Sequence, residues 1–251
     1  MATATRDRGR VGTAFAAIAN LRARQRHNDQ SRVSRLSPPS PNLPRLKDRT
    51  TIGSFMARYD EHTALVVVDL QNDFADPAGS LAVVGGGVVV PVVNAAVREA
   101  TQGTAMIIAT QDWHPESTPH FAKDGGVWPV HCVGGTWGAE LHPGFQVRAD
   151  APRVRKGTNG EDGYSGFRMR DPQTGREMPT ELEDLLREGG IERVVVCGLA
   201  TDYCVRATAI DAVHLGFEVT LLGEAVAAVN LEPEDGDRAM AEMVEAGVEL
   251  A

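Results

Sequence analysis

From Ala64 onward, short apolar runs alternate with segments whose apolar residues recur every three to four positions. Runs of the first kind are strands buried on both faces, and the amphipathic segments between them are the helices that cover them. Ala64–Asp69, Thr104–Thr110, Arg153–Lys156, Ile191–Cys197 and Phe217–Leu222 read as strands, with Val248–Leu250 as a short last one. Val88–Ala100, Thr180–Arg187, Asp202–Leu215 and Pro233–Ala246 read as helices. Pro91 is expected in the first turn of its helix, where its missing N–H costs nothing. Thr180 is expected to cap the second helix, with Glu183 closing a capping box and Gly189 and Gly190 ending it. Gly85, Gly86 and Gly87 read as a turn before a helix, because the glycine spacing of a phosphate loop is missing. The pattern predicts an α/β domain built on a parallel sheet with helices on both faces. Sites in such sheets lie beyond the carboxyl ends of the strands. Asp69, Asp112, Lys156 and Cys204 all fall at or just past such ends.

The 251 residues suit one domain with an appendage, and a hydrophobic content of 42% is enough for a large core. Apolar runs such as Ala64–Val68 and Val88–Val93 are too short to span a bilayer, so no membrane partner is expected. Three cysteines, Cys132, Cys197 and Cys204, form no CxxC pair, which predicts a reducing, cytoplasmic setting. The first 50 residues hold ten Arg and one Lys against three Asp, a net charge of +8, which leaves −17 on the rest of a chain whose total is −9. So acidic a body argues against nucleic-acid binding, because the phosphate interaction would be repulsive. Residues 1–58 are a basic, Pro- and Arg-rich extension expected to lack stable structure, apart from a short helix at Ala14–Leu21; residues 59–251 are the folded domain. Three readings of the extension compete: an organelle transit peptide, a basic interaction arm, or an upstream reading of the gene whose true start is Met56.

Three constellations carry chemistry. In the first, the apolar strand ending at Gly198 turns into a helix with Cys204 in its first turn. The helix dipole and free N–H groups there are expected to favour the thiolate and to receive an oxyanion. Asp69, at the end of an apolar strand, is a candidate base, and Lys156 a cation that would hold it and lower the thiol pKa. Singly, these residues also read as a strand-end cap, a surface lysine and an inert core cysteine; Cys197, inside its strand, reads as core. In the second, Asp112, His114, His120 and His131 gather three of the seven histidines of the chain in one loop-rich stretch. Such donors suit Zn²⁺, Fe²⁺ or Mn²⁺, and they also suit hydrogen bonds within loops. In the third, Phe74, Trp128 and Tyr164 flank the centre in sequence and would wall a flat aromatic ligand, or serve as core.

Taken together, Asp69, Gln71, Asp73 and Phe74, then Asp112, Trp113 and His114, then His120 and Phe121, then Trp128, Pro129, His131 and Cys132, then Lys156 and Gly157, and lastly Gly198 through Cys204 resemble the nicotinamidase branch of the isochorismatase-like cysteine hydrolases. The resemblance covers the chain from about Ala64 to its C-terminus. It implies a three-layer, Rossmann-like sandwich with a six-stranded parallel sheet. It implies Asp69 as proton shuttle, Lys156 as its cationic partner and Cys204 as nucleophile, with an oxyanion hole from the N–H groups of Ala200 and Cys204. It implies one divalent metal, zinc by preference, held by Asp112, His114, His120 and His131 and receiving the pyridine nitrogen of the substrate. A cis peptide between Leu199 and Ala200 is implied as well. The expected reaction is hydrolysis of nicotinamide, or a pyrazinamide-like amide, to the acid and ammonia in NAD salvage, by an even-numbered homo-oligomer. Another amidase of the superfamily, acting on a carbamoyl or ureido group, and a non-catalytic module on the same fold are the competing readings. The Gly-rich, acidic stretch between Lys156 and Tyr164 and the basic extension depart from the family pattern.

Overall fold

A computed structural model describes residues 59–251 of the chain. The readings made for residues 1–58, the Ala14–Leu21 helix included, lie outside the described residues. In chain order the strands are β1 (Thr63–Val68), β2 (Met106–Asp112), β3 (Arg153–Lys156), β4 (Arg168–Arg170), β5 (Glu177–Pro179), β6 (Arg193–Leu199), β7 (Glu218–Ala227) and β8 (Glu249–Leu250). The α-helices are α1 (Asn72–Ala75), α2 (Gly86–Gln102), α3 (Leu182–Glu188), α4 (Arg206–His214) and α5 (Asp235–Ala246). Six strands form one sheet in the order β3-β2-β1-β6-β7-β8, and every neighbouring pair is parallel. The α/β architecture expected from the sequence is the one observed. β4 and β5 form a separate antiparallel pair.

Side chains of a strand point alternately to its two faces, and here both faces are buried. Leu65 and Val67 of β1 join Val195 and Cys197 of β6 in a core roofed by Val89, Val93 and Val97 of α2. Ala64, Val66 and Val68 join Val194 and Val196 in a second core on the opposite face, covered by Leu182 and Leu186 of α3, Ala209 and Ala212 of α4 and Met243 of α5. The result is three layers. From β1 the chain builds outward through β2 to β3, then returns to the other side of β1 as β6. Strand order therefore reverses between β1 and β6, and a crevice opens beyond their carboxyl ends. No helix among the described residues is long and apolar enough to cross a membrane.

Several boundaries differ from the sequence reading for local reasons. β2 starts two residues later than expected, since α2 is closed by Gly103 and Thr104 takes a left-handed φ of 63°. β6 also starts later, because the Ile191 N–H bonds back to the Leu186 carbonyl at the end of α3. Pro91 lies well inside α2, not in its first turn. It is tolerated there because Pro91 and Gly87, whose carbonyl it leaves without a helical donor, both sit on the exposed side. The capping box on α3 does not form. The Thr180 N–H bonds the Phe167 carbonyl, its hydroxyl accepts from the Leu182 N–H at 3.2 Å, and Glu183 pairs with Arg187. The segment expected as one helix from Asp202 begins with a π-turn, Thr201–Val205, in which the Val205 N–H reaches the Ala200 carbonyl at 3.1 Å. The peptide between Leu199 and Ala200 is cis, as the resemblance implied.

Gly198 is where β6 meets the end of β1. Its φ is 112°, and a Cβ there would lie 2.0 Å from the Val68 carbonyl oxygen. Only glycine satisfies both conditions. Gly198→Ala is therefore expected to lower the urea midpoint by an amount equivalent to about 1–3 kcal/mol or more; an unchanged midpoint would show that the two strands do not approach this closely.

Candidate active site

Four strand ends supply the centre. Asp69 follows β1 directly, in a left-handed conformation with φ 44°. Asp112 and Lys156 are the last residues of β2 and β3 and lie opposite each other in the register of that pair. Cys204 sits in the π-turn after β6. The parallel sheet thus brings to one rim residues that are far apart in sequence.

Lys156 is the hub. It is only 1% exposed. Its Nζ lies 2.8 Å from Asp69 Oδ2, contacts Asp112 Oδ1, and approaches Cys204 Sγ at 3.6 Å. Asp69 is fully buried, and its Oδ1 accepts a hydrogen bond from the Thr110 hydroxyl at 2.6 Å. Burial raises the Asp69 pKa, and the Asp112 charge adds to this, while Lys156 and the Thr110 hydroxyl oppose it. Burial opposes ionisation of Asp112 too, but Lys156 and the His114 and His131 rings hold its carboxyl well below the usual range. Lys156 stays protonated despite burial, because two carboxylates face it.

Cys204 corrects one expectation. Burial pushes its thiol well above the ordinary value, Asp69 and Asp112 push the same way, and Lys156 recovers only part of this. The sulfur rests as a thiol, not as the thiolate predicted from the helix end. A neutral thiol beside a carboxylate of raised basicity is still a workable pair, because the proton has somewhere to go when the sulfur attacks. Cys197 and Cys132 are buried and, with Cys204, free of disulfides.

The histidines gather beside this network. One ring nitrogen from each of His114, His120 and His131 lies within 4.8 Å of the others. Asp112 Oδ2 lies 3.9 Å from Nε2 of both His114 and His131. His131 Nδ1 sits 2.7 Å from the Pro129 carbonyl and His120 Nδ1 sits 2.8 Å from Asp162 Oδ1. Both contacts call for a proton on Nδ1, so that in the neutral ring Nε2 is the nitrogen with a lone pair to offer as a ligand. Both ring nitrogens of His114 are buried without a hydrogen-bond partner. Burial, partly offset by Asp112, lowers the His114 pKa to about 4, so the ring is neutral near pH 7. Three imidazoles drawn together, two of their nitrogens buried without partners, and a carboxylate oxygen turned toward them fit a divalent cation.

The cleft above is lined by Phe74, Trp128, Tyr164, Ala200, Cys204 and His131, among others. Trp128 and Tyr164 meet edge to face, and the indole N–H donates to the Tyr164 hydroxyl at 3.1 Å. Tyr203, which the sequence reading missed, packs against both, with ring centroids 5.0 and 5.2 Å away. Leu81, Gly163 and Val229 also line the cleft and were missed. Gln71 and Asp73 belong to the quoted motifs but had no assigned task. The buried Gln71 amide donates to the Asp112 carbonyl at 2.7 Å and accepts from the Asp112 N–H at 2.8 Å, clamping the end of β2. Asp73 accepts from the Cys132 and Ser80 N–H groups and so holds the loop after His131. A buried amide or carboxylate within a motif is the only sequence cue to either.

Residues 63–251 match the Isochorismatase domain family, and the chain belongs to that family. Among its relatives is the nicotinamidase of Escherichia coli (strain K12), 39% identical over 203 residues, covering 74% of this chain and 93% of the relative. The nicotinamidase/pyrazinamidase of Mycobacterium tuberculosis is 38% identical over 190 residues, covering 74% of this chain and 97% of the relative. The crystal structure of Pyrococcus horikoshii pyrazinamidase in complex with zinc is 43% identical, superposes with a TM-score of 0.68, and covers 76% of this chain and 98% of that one.

The neutral, buried His114 has a consequence for stability. Its pKa is about 4 in the fold against 6.5 normally, so below pH 6.5 the unfolded chain takes up the proton first. In metal-free protein this contribution is present above about pH 6.5 and is lost as the pH falls toward 4. Urea titrations across that window should show His114→Asn losing less stability than the unmodified chain, by up to about 3 kcal/mol. Parallel losses in the two proteins would mean that the ring is not held neutral.

Proposed function

We propose that the protein is a metal-assisted cysteine amidohydrolase that converts nicotinamide to nicotinate and ammonia, in a cytoplasmic NAD salvage route. One observation carries the reading. The buried Lys156 ammonium touches Asp69, Asp112 and Cys204, while the His120 and His131 rings open onto the same aromatic cleft and His114 lies buried beside them. The family match and the nicotinamidase relatives support the choice of substrate. The zinc-bound pyrazinamidase and the donor set support a divalent ion, with zinc the preferred candidate.

In this mechanism Asp112, His114, His120 and His131 would hold the ion, which when bound would supply Lewis acidity toward the ring nitrogen of nicotinamide. Phe74, Trp128 and Tyr164 wall the ring and exclude water. The Cys204 thiol gives its proton to Asp69 as the sulfur attacks the carboxamide carbon. The N–H groups of Ala200 and Cys204 receive the oxyanion. Asp69 returns the proton to the leaving nitrogen, and ammonia departs from a Cys204 thioester. Asp69 then takes a proton from water as the oxygen attacks the thioester, the sulfur recovers that proton as the C–S bond breaks, and the nicotinic acid released ionises to nicotinate, its proton going to solvent or to the ammonia. Throughout, Lys156 stabilises the anionic states of Asp69 and of the sulfur.

With nicotinamide as substrate, Cys204→Ala should release no ammonia while keeping the far-ultraviolet circular dichroism of the fold. Ammonia production by that variant at the original rate would remove Cys204 from the reaction. Asp69→Asn should cut kcat by about 10²–10⁴-fold. Dialysis against a chelator should abolish turnover and added Zn²⁺, Fe²⁺ or Mn²⁺ should restore it; full activity at a metal content near zero would rule out the role given to the histidines. Turnover of ureido or carbamoyl substrates in place of nicotinamide would redirect the assignment within the family.

A further inference from the structure

We propose that Asp162 is the positioning residue of His120, fixing the ring so that its Nε2 faces the metal site. The proposal rests on the metal-binding reading above. Among the three histidines, His120 alone depends on a side chain for this. The Nδ1 of His131 is tied to a backbone carbonyl, and that of His114 packs over Gly157, where a Cβ would lie 2.6 Å away. His120 Nδ1 is 2.8 Å from Asp162 Oδ1. An ionised carboxylate can only accept, so the contact puts a proton on Nδ1, and the neutral ring that ligation requires then carries its lone pair on Nε2.

Asp162 is itself held in place. Its Oδ1 also accepts from the Gly163 N–H at 2.9 Å, and its Oδ2 lies 3.5 Å from an Arg170 guanidinium nitrogen. Its main chain pairs with Arg170 of β4, the Asp162 N–H reaching the Arg170 carbonyl at 2.8 Å. A second tie joins the same two loops, the Thr118 hydroxyl donating to the Gly160 carbonyl at 3.2 Å. The small β4–β5 pair, which has no part in the main sheet, thereby gains a task. It anchors the carboxylate that orients a ligand. The acidic stretch between Lys156 and Tyr164, a departure from the family pattern, contains this residue, and Gly163 and Tyr164 next to it line the cleft.

Zn²⁺ affinity of metal-depleted protein, measured by competition with a chromogenic chelator, tests the role without any turnover. Asp162→Ala should weaken Zn²⁺ binding by about 10–100-fold. Asp162→Asn, whose amide oxygen can still accept from Nδ1, should recover most of the loss. Arg170→Ala, which removes only the 3.5 Å guanidinium contact and keeps the main-chain pairing and the Gly163 N–H bond to the carboxylate, should weaken Zn²⁺ binding far less than Asp162→Ala and so control for general loosening of the loop. Nitrogen-15 spectra of the imidazoles should show the Nδ1–H form of His120 in the metal-free protein and its loss in Asp162→Ala. Undiminished affinity in Asp162→Ala, or equal losses in Asp162→Ala and Arg170→Ala, would overturn the positioning role. An unmodified protein that takes up no divalent ion would overturn the metal reading as well, and the two failures are distinct.

Discussion

Lys156 carries its ammonium where almost no water reaches. Burying an ion costs several kcal/mol even after relaxation, and partners of good geometry must offset that cost. Here the offset comes from Asp69 and Asp112, with the Cys204 sulfur as a third neighbour. Those partners stand at the ends of β1, β2 and β6, so the charge can be satisfied only when the sheet has assembled in this order. The dependence is mutual. Without the ammonium, two carboxylates would face each other in a dry pocket and one would take up a proton.

Asp112 extends this network in a second direction. One of its oxygens contacts Lys156 and the other is turned toward His114 and His131. A single carboxylate therefore joins the nucleophile and its base to the histidine cluster, and Gln71 fixes its backbone from both sides. The strand ends and the turn after β6 carry the proton-transfer groups, whereas loops carry the histidines and, with Phe74 of α1 and Tyr203 of the π-turn, the aromatic wall. The loops are held largely by polar side chains, the buried Asp73 and the half-buried Asp162 among them, and not by pairing with the main sheet. Supporting contacts of this kind decide whether ligands meet an ion at the right angle.

Much of the fold was legible because both faces of the central strands are buried, so β1 and β6 read as continuous apolar runs and the helices between them show a single apolar side. The rim residues were legible for the same reason, since a strand that ends in an acid, a lysine or a turn bearing a thiol marks its own carboxyl end. What sequence missed depends on long-range geometry. The lining role of Tyr203 follows from the π-turn, which no local periodicity announces. The β4–β5 pair is too short and too exposed to carry an apolar pattern. The depth of Cys204 reversed the expected charge on its sulfur, because burial and two neighbouring carboxylates outweigh a helix end and one lysine. Helix position is written in the sequence; desolvation is a property of the finished fold.

The account stands on the sulfur of Cys204 forming a covalent bond to the substrate with Asp69 as its proton acceptor. Mass spectrometry of the protein quenched with acid during turnover of nicotinamide tests this most directly. A nicotinoyl group should be found on the peptide bearing Cys204 and should disappear as substrate is exhausted. Steady release of ammonia with Cys204 unmodified, or with the acyl group on another residue, would contradict it.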